Sequence, residues 1–263
     1  MSPTSFIDAI APLVTEHERL IPLLAAVLAR MSAIVFLAPG FGEQTIPVRI
    51  RLTIVFALVA VAAPGLSVDV MVSDPAKIAS LIGAEAMNGF IIGMSLRAVI
   101  FILQTAGAVI AQHMSLTQLF GVSLVGDRES ALSSILIVAM LAAAASAGLH
   151  VEIAAVALHT YDVFPIGVWP AGADVGAWST AKAAAILNIA FSLGLPFVLL
   201  GLAYSLALAA ASRAMPQLSA VFVGVPASLF AGLALFAATA LVIIDRASEL
   251  FATAISMAPW GLQ

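Results

Sequence analysis

Long apolar runs recur along the whole chain and limit how it can fold more than any other feature. Of its 263 residues, 63% are hydrophobic and only 9% are charged, whereas about a quarter of the residues of a soluble domain are charged. Each run is long enough for a helix to cross a hydrocarbon layer of about 30 Å. The pattern predicts an all-α, membrane-protein-like fold of long, kinked helices and helical hairpins.

Turn residues and polar links divide the apolar pattern into predicted helices. These helices cover about residues 20–39, 46–64, 78–112, 131–148, 182–213 and 226–251. The run at 78–112 is longer than a straight crossing needs, so it is expected to tilt, to bend or to extend beyond a bilayer. Residues 170–180 are predicted to form a polar loop. The last two helices are predicted to form a hairpin in which Pro196 bends the first helix.

The charges give no clear orientation for this arrangement. When every predicted helix crosses a membrane, the loop lysines and arginines divide equally between the two sides, whereas most multi-span proteins show a bias. The stretch HVEIAAVALHTYDVFPIG is also too polar for a lipid-facing span and is expected at an interface or against a partner. The chain is therefore not expected to form a plain bundle that crosses the bilayer from end to end.

One side of the third predicted helix carries residues suited to close helix packing. Glu85, Gly89, Gly93 and Arg97 follow one another at intervals of four, which places them along one helix face. The spacing of Gly89 and Gly93 allows a neighbouring backbone to approach closely. This face is expected to contact protein rather than lipid.

Two arginines, Arg30 and Arg97, lie inside apolar runs. A charge in a lipid-exposed helix centre costs at least a few kcal/mol, so each should face a partner, a carboxylate or water. Alternatively, each lies near a helix end and extends its charged group to the interface. In a transporter these residues would serve substrate binding or gating, and in an assembly subunit they would join neighbours.

No enzyme motif is present in the sequence, and no cofactor or metal is expected. The chain has no cysteine, and His113, His150 and His159 lack the short paired spacing of a zinc-binding helix. The pairs Gly126-Asp127 and Tyr161-Asp162 only superficially resemble the aspartates of an intramembrane protease. A net charge of −4 with no basic cluster does not favour nucleic acid as a partner.

Four stretches carry a family resemblance through their order and spacing. The first is ARMSAIVFLAPGFGEQTIPVRIRL, with TAGAVIAQHMSL and HTYDVFPIG in the middle of the chain and SRAMPQLSAVFVGVP near its end. Their characteristic residues are Arg30, Pro39, Pro47 and Arg49 in the first stretch, and Arg213, Pro216, Gln217, Gly224 and Pro226 in the last. Over essentially its whole length the chain resembles the FliR and SctT family of flagellar and type III secretion proteins.

This resemblance implies a structural and gating subunit of the flagellar export gate, in the bacterial inner membrane at the basal body. The expected protein partners are a FliP pentamer, several copies of FliQ, and FlhB and FlhA. With FliP and FliQ the chain would form a closed conduit for unfolded export substrates, much of it on the periplasmic side, and membrane lipid is a further expected partner. The chain is expected to be a single FliR-like domain with a FliP-like part at about 1–180 and a FliQ-like hairpin at about 181–263.

The resemblance also implies that the loop after the third long helix contributes a plug to the closed channel. By position this loop covers about residues 114–127. A plug needs bulky apolar groups and flexible joints. Met114, Leu119 and Phe120 are the candidates for the seal, and Gly121 and Gly126 for the hinges. Ser115 and the absence of an Asp-Pro pair depart from the family pattern.

The last stretch has a second, purely local interpretation. Pro216 is predicted to end one helix and Pro226 to start the next, and the charge of Arg213 suits a helix C-terminus. Arg213 and Gln217 are in addition candidates for contacts with neighbouring subunits. A small-molecule secondary transporter remains the alternative function, and it would be expected to show two internally repeated halves, which the sequence lacks.

Overall fold

The described part of the chain is almost entirely helical. The computed structural model describes the backbone of residues 3–68, 74–114, 131–214 and 220–255, and the side chains of residues 20–68, 74–114, 131–213, 224 and 226–254. Its α-helices are α1 (Pro3–Leu37), α2 (Val48–Ala62), α3 (Pro75–His113), α4 (Ala131–Ser146), α5 (Leu149–Val163), α6 (Gly172–Ala214) and α7 (Ala220–Ile255). A single 3-10 turn at Ala63–Gly65 follows α2. These residues contain no β-strand, and the predicted all-α fold is confirmed.

Several helices are long and apolar enough to cross a membrane. In the described ranges these spans are Leu20–Leu37, Val48–Gly65, Pro75–His113, Gly172–Arg213 and Pro226–Ala254. There are five such spans in these ranges, and a sixth if Ala131–Ser146 and Leu149–Val163 together form one broken span. The break lies at Gly148, whose φ of +90° is a left-handed conformation that glycine adopts readily. The helices therefore have the lengths of a multi-span membrane protein.

Local chemistry fixes the N-terminus of α3. The Asp74 carboxylate accepts a hydrogen bond of 3.2 Å from the backbone N–H of Lys77 and lies 3.0 Å from its ammonium group. A carboxylate at this position satisfies one of the unpaired N–H groups of the first turn. The hydrogen bonds and the charge of Lys77 lower the pKa of Asp74 below its usual value, so the cap stays ionised at neutral pH.

The prediction of a polar loop at residues 170–180 is wrong, because α6 begins at Gly172. Its first turn is closed by a hydrogen bond of 3.0 Å from the Val175 N–H to the Ala171 carbonyl. Asp174 lies in that turn, where a negative charge interacts favourably with the helix dipole. Polar residues at this point therefore mark a solvated helix start rather than a loop.

The prediction that Pro226 starts the last helix is also wrong. α7 begins at Ala220, and Pro226 lies inside it. Proline has no N–H and therefore removes one hydrogen bond of the helix, but a helix anchored on both sides of it can continue. Pro216 lies outside the described residues, and Pro196 lies within α6.

The chain forms two compact units. The first unit comprises Met1–Arg97, Gly148–Ser179 and Thr253–Gln263, and the second comprises Ala98–Ala147 and Thr180–Ala252. In the first unit, α1 packs against α2, and α2 also contacts α5. Its core includes the fully buried side chains of Val27, Met31, Ile34 and Val55.

The second unit is built from the C-terminal half of α3 together with α4, α6 and most of α7. Ile102, Ala106 and Ala190 form a buried cluster against which Ile186, Ile189, Leu193 and Leu250 pack. Close approach depends on glycine, because a Cβ added at Gly107 would lie 2.6 Å from the Ser133 Cα. Small residues therefore determine the packing distances in this unit.

Candidate functional site

The α1–α3 crossing in the first unit brings the charged groups of the two helices together. A Cβ added at Gly89 would lie 2.5 Å from the Arg30 carbonyl oxygen and 2.9 Å from the Ala33 Cβ. A Cβ at Gly93 would lie 2.8 Å from the Leu37 Cβ. Any side chain at these positions would push the helices apart. The two glycines thus allow the Arg30 backbone to approach α3 one turn from Glu85.

Arg30 and Glu85 form a bidentate ion pair inside the first unit. Arg30 Nε lies 2.8 Å from Glu85 Oε2, and the Nη2 atom donates a hydrogen bond of 2.8 Å to Oε1. Both side chains have 0% exposed surface. Buried charges are tolerated when they are paired with an opposite charge. Arg30 therefore faces a carboxylate and does not extend to an aqueous boundary.

Two atoms of this pair, Arg30 Nη1 and Glu85 Oε1, also contact the chain that follows α5. Arg30 Nη1 donates a hydrogen bond of 2.8 Å to the Phe164 carbonyl, and the Gly167 N–H donates one of 2.9 Å to Glu85 Oε1. The Arg30 guanidinium carbon lies 4.0 Å from the centroid of the Tyr161 ring, within the range of a cation–π interaction. Three segments distant in sequence therefore converge on one ion pair.

Residues 164–169, which we call the strap, lie along α3. Asn88 Nδ2 donates a hydrogen bond of 2.9 Å to the Val168 carbonyl, and Trp169 Nε1 donates one of 3.1 Å to Ser80 Oγ. The Trp169 ring also lies against Gly83, where an added Cβ would be 3.0 Å from it. Polar side chains of α3 thus contact the strap over several helical turns.

A second ion pair lies farther along the same helix. Arg97 Nη1 is 2.7 Å from Glu43 Oε1, with 19% and 25% of the two side chains exposed. The Glu43 carbonyl in turn accepts a hydrogen bond of 3.0 Å from Arg51 Nη2. Glu43 lies in the link between α1 and α2, so this pair attaches that link to α3.

The other predicted residues of the first hairpin lie around this link. Pro39 is buried just after α1, whereas Pro47 and Arg49 are exposed at the start of α2. Glu85, Gly89 and Gly93 are buried. Sequence reasoning missed Asn88, and it named Tyr161 and the stretch HTYDVFPIG without predicting that they contact Arg30 and Glu85. Asn88 could have been identified from the sequence, because it lies three residues after Glu85 in an apolar helix, and a polar side chain in such a helix usually contacts a buried partner.

The predicted residues of the second unit are only partly described. Met114 is buried, and a Cβ added at Gly232 would lie 2.7 Å from its Cγ atom. Gly224 faces Tyr204, whose hydroxyl would lie 2.7 Å from an added Cβ. Arg213 and Pro226 are exposed. The remaining predicted residues of this region, Leu119, Phe120, Gly121, Gly126, Pro216 and Gln217, lie outside the described residues.

The second unit carries large exposed apolar faces on α6 and α7. In an apolar stretch of 18 residues within each of these two spans only 17% of the residues are buried, against 67% in the corresponding stretch of α3. The exposed side chains include Leu187, Phe191, Leu195, Leu199, Leu202 and Leu206 on α6, and Phe230, Leu233, Leu241 and Val242 on α7. Contiguous apolar surface of this kind is covered by lipid or by a protein partner.

The histidines and aspartates considered for chemistry are not gathered into a site. His159 lies 3.2 Å from Asp162 on the exposed side of α5, and His113 lies against Gly201 in the second unit. In the described residues no group of three His, Cys, Asp or Glu side chains is placed to hold a metal ion. Asp127 lies outside the described residues.

Long apolar helices with internally paired charges define an all-α membrane-protein fold. The family model of bacterial export proteins, family 1, matches residues 21–254. The chain is 31% identical over 235 residues to the flagellar biosynthetic protein FliR of Caulobacter vibrioides, covering 86% of this chain and 93% of that protein. It is 25% identical over 225 residues to the FliR of Escherichia coli K12, covering 85% and 86%. The chain belongs to the bacterial export proteins, family 1, and the predicted family is confirmed.

Proposed function

We propose that this protein is a core structural and gating subunit of the flagellar type III export gate. It assembles with a FliP pentamer and several copies of FliQ into a closed conduit for unfolded export substrates, next to FlhB and FlhA. The gate lies in the inner membrane at the flagellar basal body, with much of the assembly on the periplasmic side. Within a single FliR-like domain, residues of about 1–180 correspond to FliP and about 181–263 to a FliQ-like hairpin.

The observation that carries this proposal is the exposed apolar surface of α6 and α7. Leu202 and Leu206 on α6 are 56% and 64% exposed, and Phe230 on α7 is 71% exposed. Helices of neighbouring gate subunits have a similar apolar surface to bury, and small residues on α6 and α7 permit close approach. In this proposal Arg213 and Gln217, near the end of the α6–α7 hairpin, contact neighbouring subunits.

The internal pairing of the arginines favours a subunit over a small-molecule transporter. A transporter would present Arg30 or Arg97 to a substrate near the middle of the membrane. Arg30 has no exposed surface and already donates to Glu85 and Phe164. A substrate would have to displace these bonds, which makes Arg30 a poor substrate ligand.

The gating part of the proposal concerns Met114, Leu119 and Phe120, with Gly121 and Gly126 as hinges. Bulky apolar side chains close a pore by excluding water from it. Replacing Phe120 with alanine should therefore make the closed assembly leak ions, which planar-bilayer conductance measures. Normal assembly with unchanged conductance would argue against Phe120 as part of the seal.

Co-expression with FliP and FliQ tests the assembly. Purification in mild detergent followed by native mass measurement should give one stoichiometric complex that contains a single copy of this chain. Leu202→Lys, which places a charge on the apolar α6 face, should reduce the yield of the complex, whereas Ser179→Lys, at an exposed polar position near the start of α6, should not. A chain that is always recovered alone or as a homodimer would refute the proposal.

A further inference from the structure

The strap is held by neutral side chains of α3 at one end and by charged side chains of α1 and α3 at the other. Asn88 and Ser80 provide neutral contacts to Val168 and Trp169. Arg30 and Glu85 provide charged contacts at the other end, to the Phe164 carbonyl and the Gly167 N–H. Hydrogen bonds to charged groups are stronger than neutral ones. The ion pair therefore provides the strongest polar contacts between the strap and the helices.

Burial makes these contacts costly to lose. Arg30 and Glu85 have 0% exposed surface. If the strap moved away from α3, the Arg30 Nη1 donor would lose its acceptor in an interior that offers it little water. Leaving a buried charged group without its hydrogen bond costs more than an ordinary bond is worth. The displaced strap is thus disfavoured by the ion pair itself.

The chemistry of the two side chains also selects one register for the strap. Arginine only donates hydrogen bonds, and an ionised glutamate only accepts them. The strap offers a carbonyl to Arg30 at Phe164 and an N–H to Glu85 at Gly167. Pro165 has no N–H, so a shift of two residues that placed it opposite Glu85 would leave the carboxylate without a backbone donor. Gly167 has a φ of +78°, which allows the backbone to turn its N–H toward the carboxylate.

We propose that Arg30 and Glu85 together act as a latch that holds the strap against α3 in one register. Because α6 begins at Gly172, three residues after the end of the strap, the latch also sets where α6 starts. The Arg30–Glu85 pair thus positions the strap within the first unit. This role concerns the isolated chain and goes beyond the proposed function in export.

Cysteine cross-linking tests the latch directly, because the chain contains no cysteine. The full-length variant Ser80→Cys with Trp169→Cys, in mild detergent, should react rapidly with a short cross-linker specific for cysteine pairs. Adding Arg30→Gln or Glu85→Gln should shift the equilibrium between the docked and the displaced strap about tenfold toward the displaced form, as expected when a hydrogen bond to a charged group is lost, and should therefore lower the initial cross-linking rate. Adding Arg97→Gln is the matched control. Arg97 also lies on α3, and its replacement breaks the ion pair with Glu43 of the α1–α2 link but should leave the cross-linking rate unchanged.

The double replacement Arg30→Met with Glu85→Leu separates the latch from general stability. This variant removes both charges together and keeps the apolar packing of α1 and α3, so it is expected to fold. The cross-linking rate of the double variant should be as low as that of the single variants. If the single variants do not fold, the double variant alone tests the latch. A rate equal to that of the parent cysteine pair, or an equal fall with Arg97→Gln, would overturn the proposal.

Discussion

The two units of this chain are stabilised in different ways. The first unit buries an ion pair that forms hydrogen bonds with the strap and lies against the Tyr161 ring of α5. The second unit packs through small residues such as Gly107 and Gly194 and leaves long apolar faces exposed on α6 and α7. Paired charges thus hold the first unit together internally, whereas the second unit leaves apolar surface for lipid or another subunit to cover.

Removing one partner of the buried ion pair is expected to have the largest effect. Glu85→Leu leaves the Arg30 charge buried without a counter-charge and should lower the free energy of unfolding by about 3–5 kcal/mol. Arg30→Met with Glu85→Leu should lower it by clearly less, because no charge remains unpaired. Reversible unfolding in mixed micelles measures the free energy of unfolding of both variants. Equal losses in the single and double variants would mean that the pair's charges do not matter.

The contrast between buried and exposed aromatic residues tests the second unit. Phe197 is 1% exposed and its ring lies 6.5 Å from that of Phe236, so Phe197→Ala should cost about 3–5 kcal/mol. Phe230 is 71% exposed, and Phe230→Ala should change the stability of the isolated chain by less than about 0.5 kcal/mol. The same unfolding experiment compares them. A large loss at Phe230 would show that its face is covered within the chain.

Close helix packing depends on glycine in both units, and a smaller effect is expected there. Gly89→Ala and Gly107→Ala place a Cβ against the backbone of Arg30 and of Ser133, and each should cost about 1–3 kcal/mol. Gly176 has no atom within 4 Å of an added Cβ, so Gly176→Ala should stabilise α6 by up to about 1 kcal/mol. Thermal unfolding in detergent is sufficient for the comparison. A gain at Gly89 would contradict the close crossing of α1 and α3.

The smallest effect is expected at the second ion pair. Arg97 and Glu43 are 19% and 25% exposed, so water compensates part of the lost interaction. Arg97→Gln should lower the free energy of unfolding by about 1 kcal/mol. Increasing the salt concentration should reduce the difference between this variant and the parent chain. A loss as large as that of Glu85→Leu would remove the distinction between the two pairs.

Sequence reasoning succeeded where the signal is local. Hydrophobic run length predicted long helices, and the interval of four placed Glu85, Gly89 and Gly93 on one face. It failed at residues 170–180 and at Pro226, because helix ends depend on which surrounding groups satisfy the backbone. Asp174 in the first turn of α6 marks a helix start that composition alone presents as a loop.

The sequence by itself determined that the chain is helical, largely apolar, and equipped with few charges that must find partners. These properties follow from side-chain chemistry and helix periodicity, which are local. Only the tertiary structure decided that Arg30 pairs with Glu85, 55 residues away, and reaches Phe164, 134 residues away. Such partners depend on where helices cross, and many crossings are compatible with the same apolar pattern. Gly89 and Gly93 favour the crossing of α1 with α3, because they let the two backbones come close enough for the charges to meet.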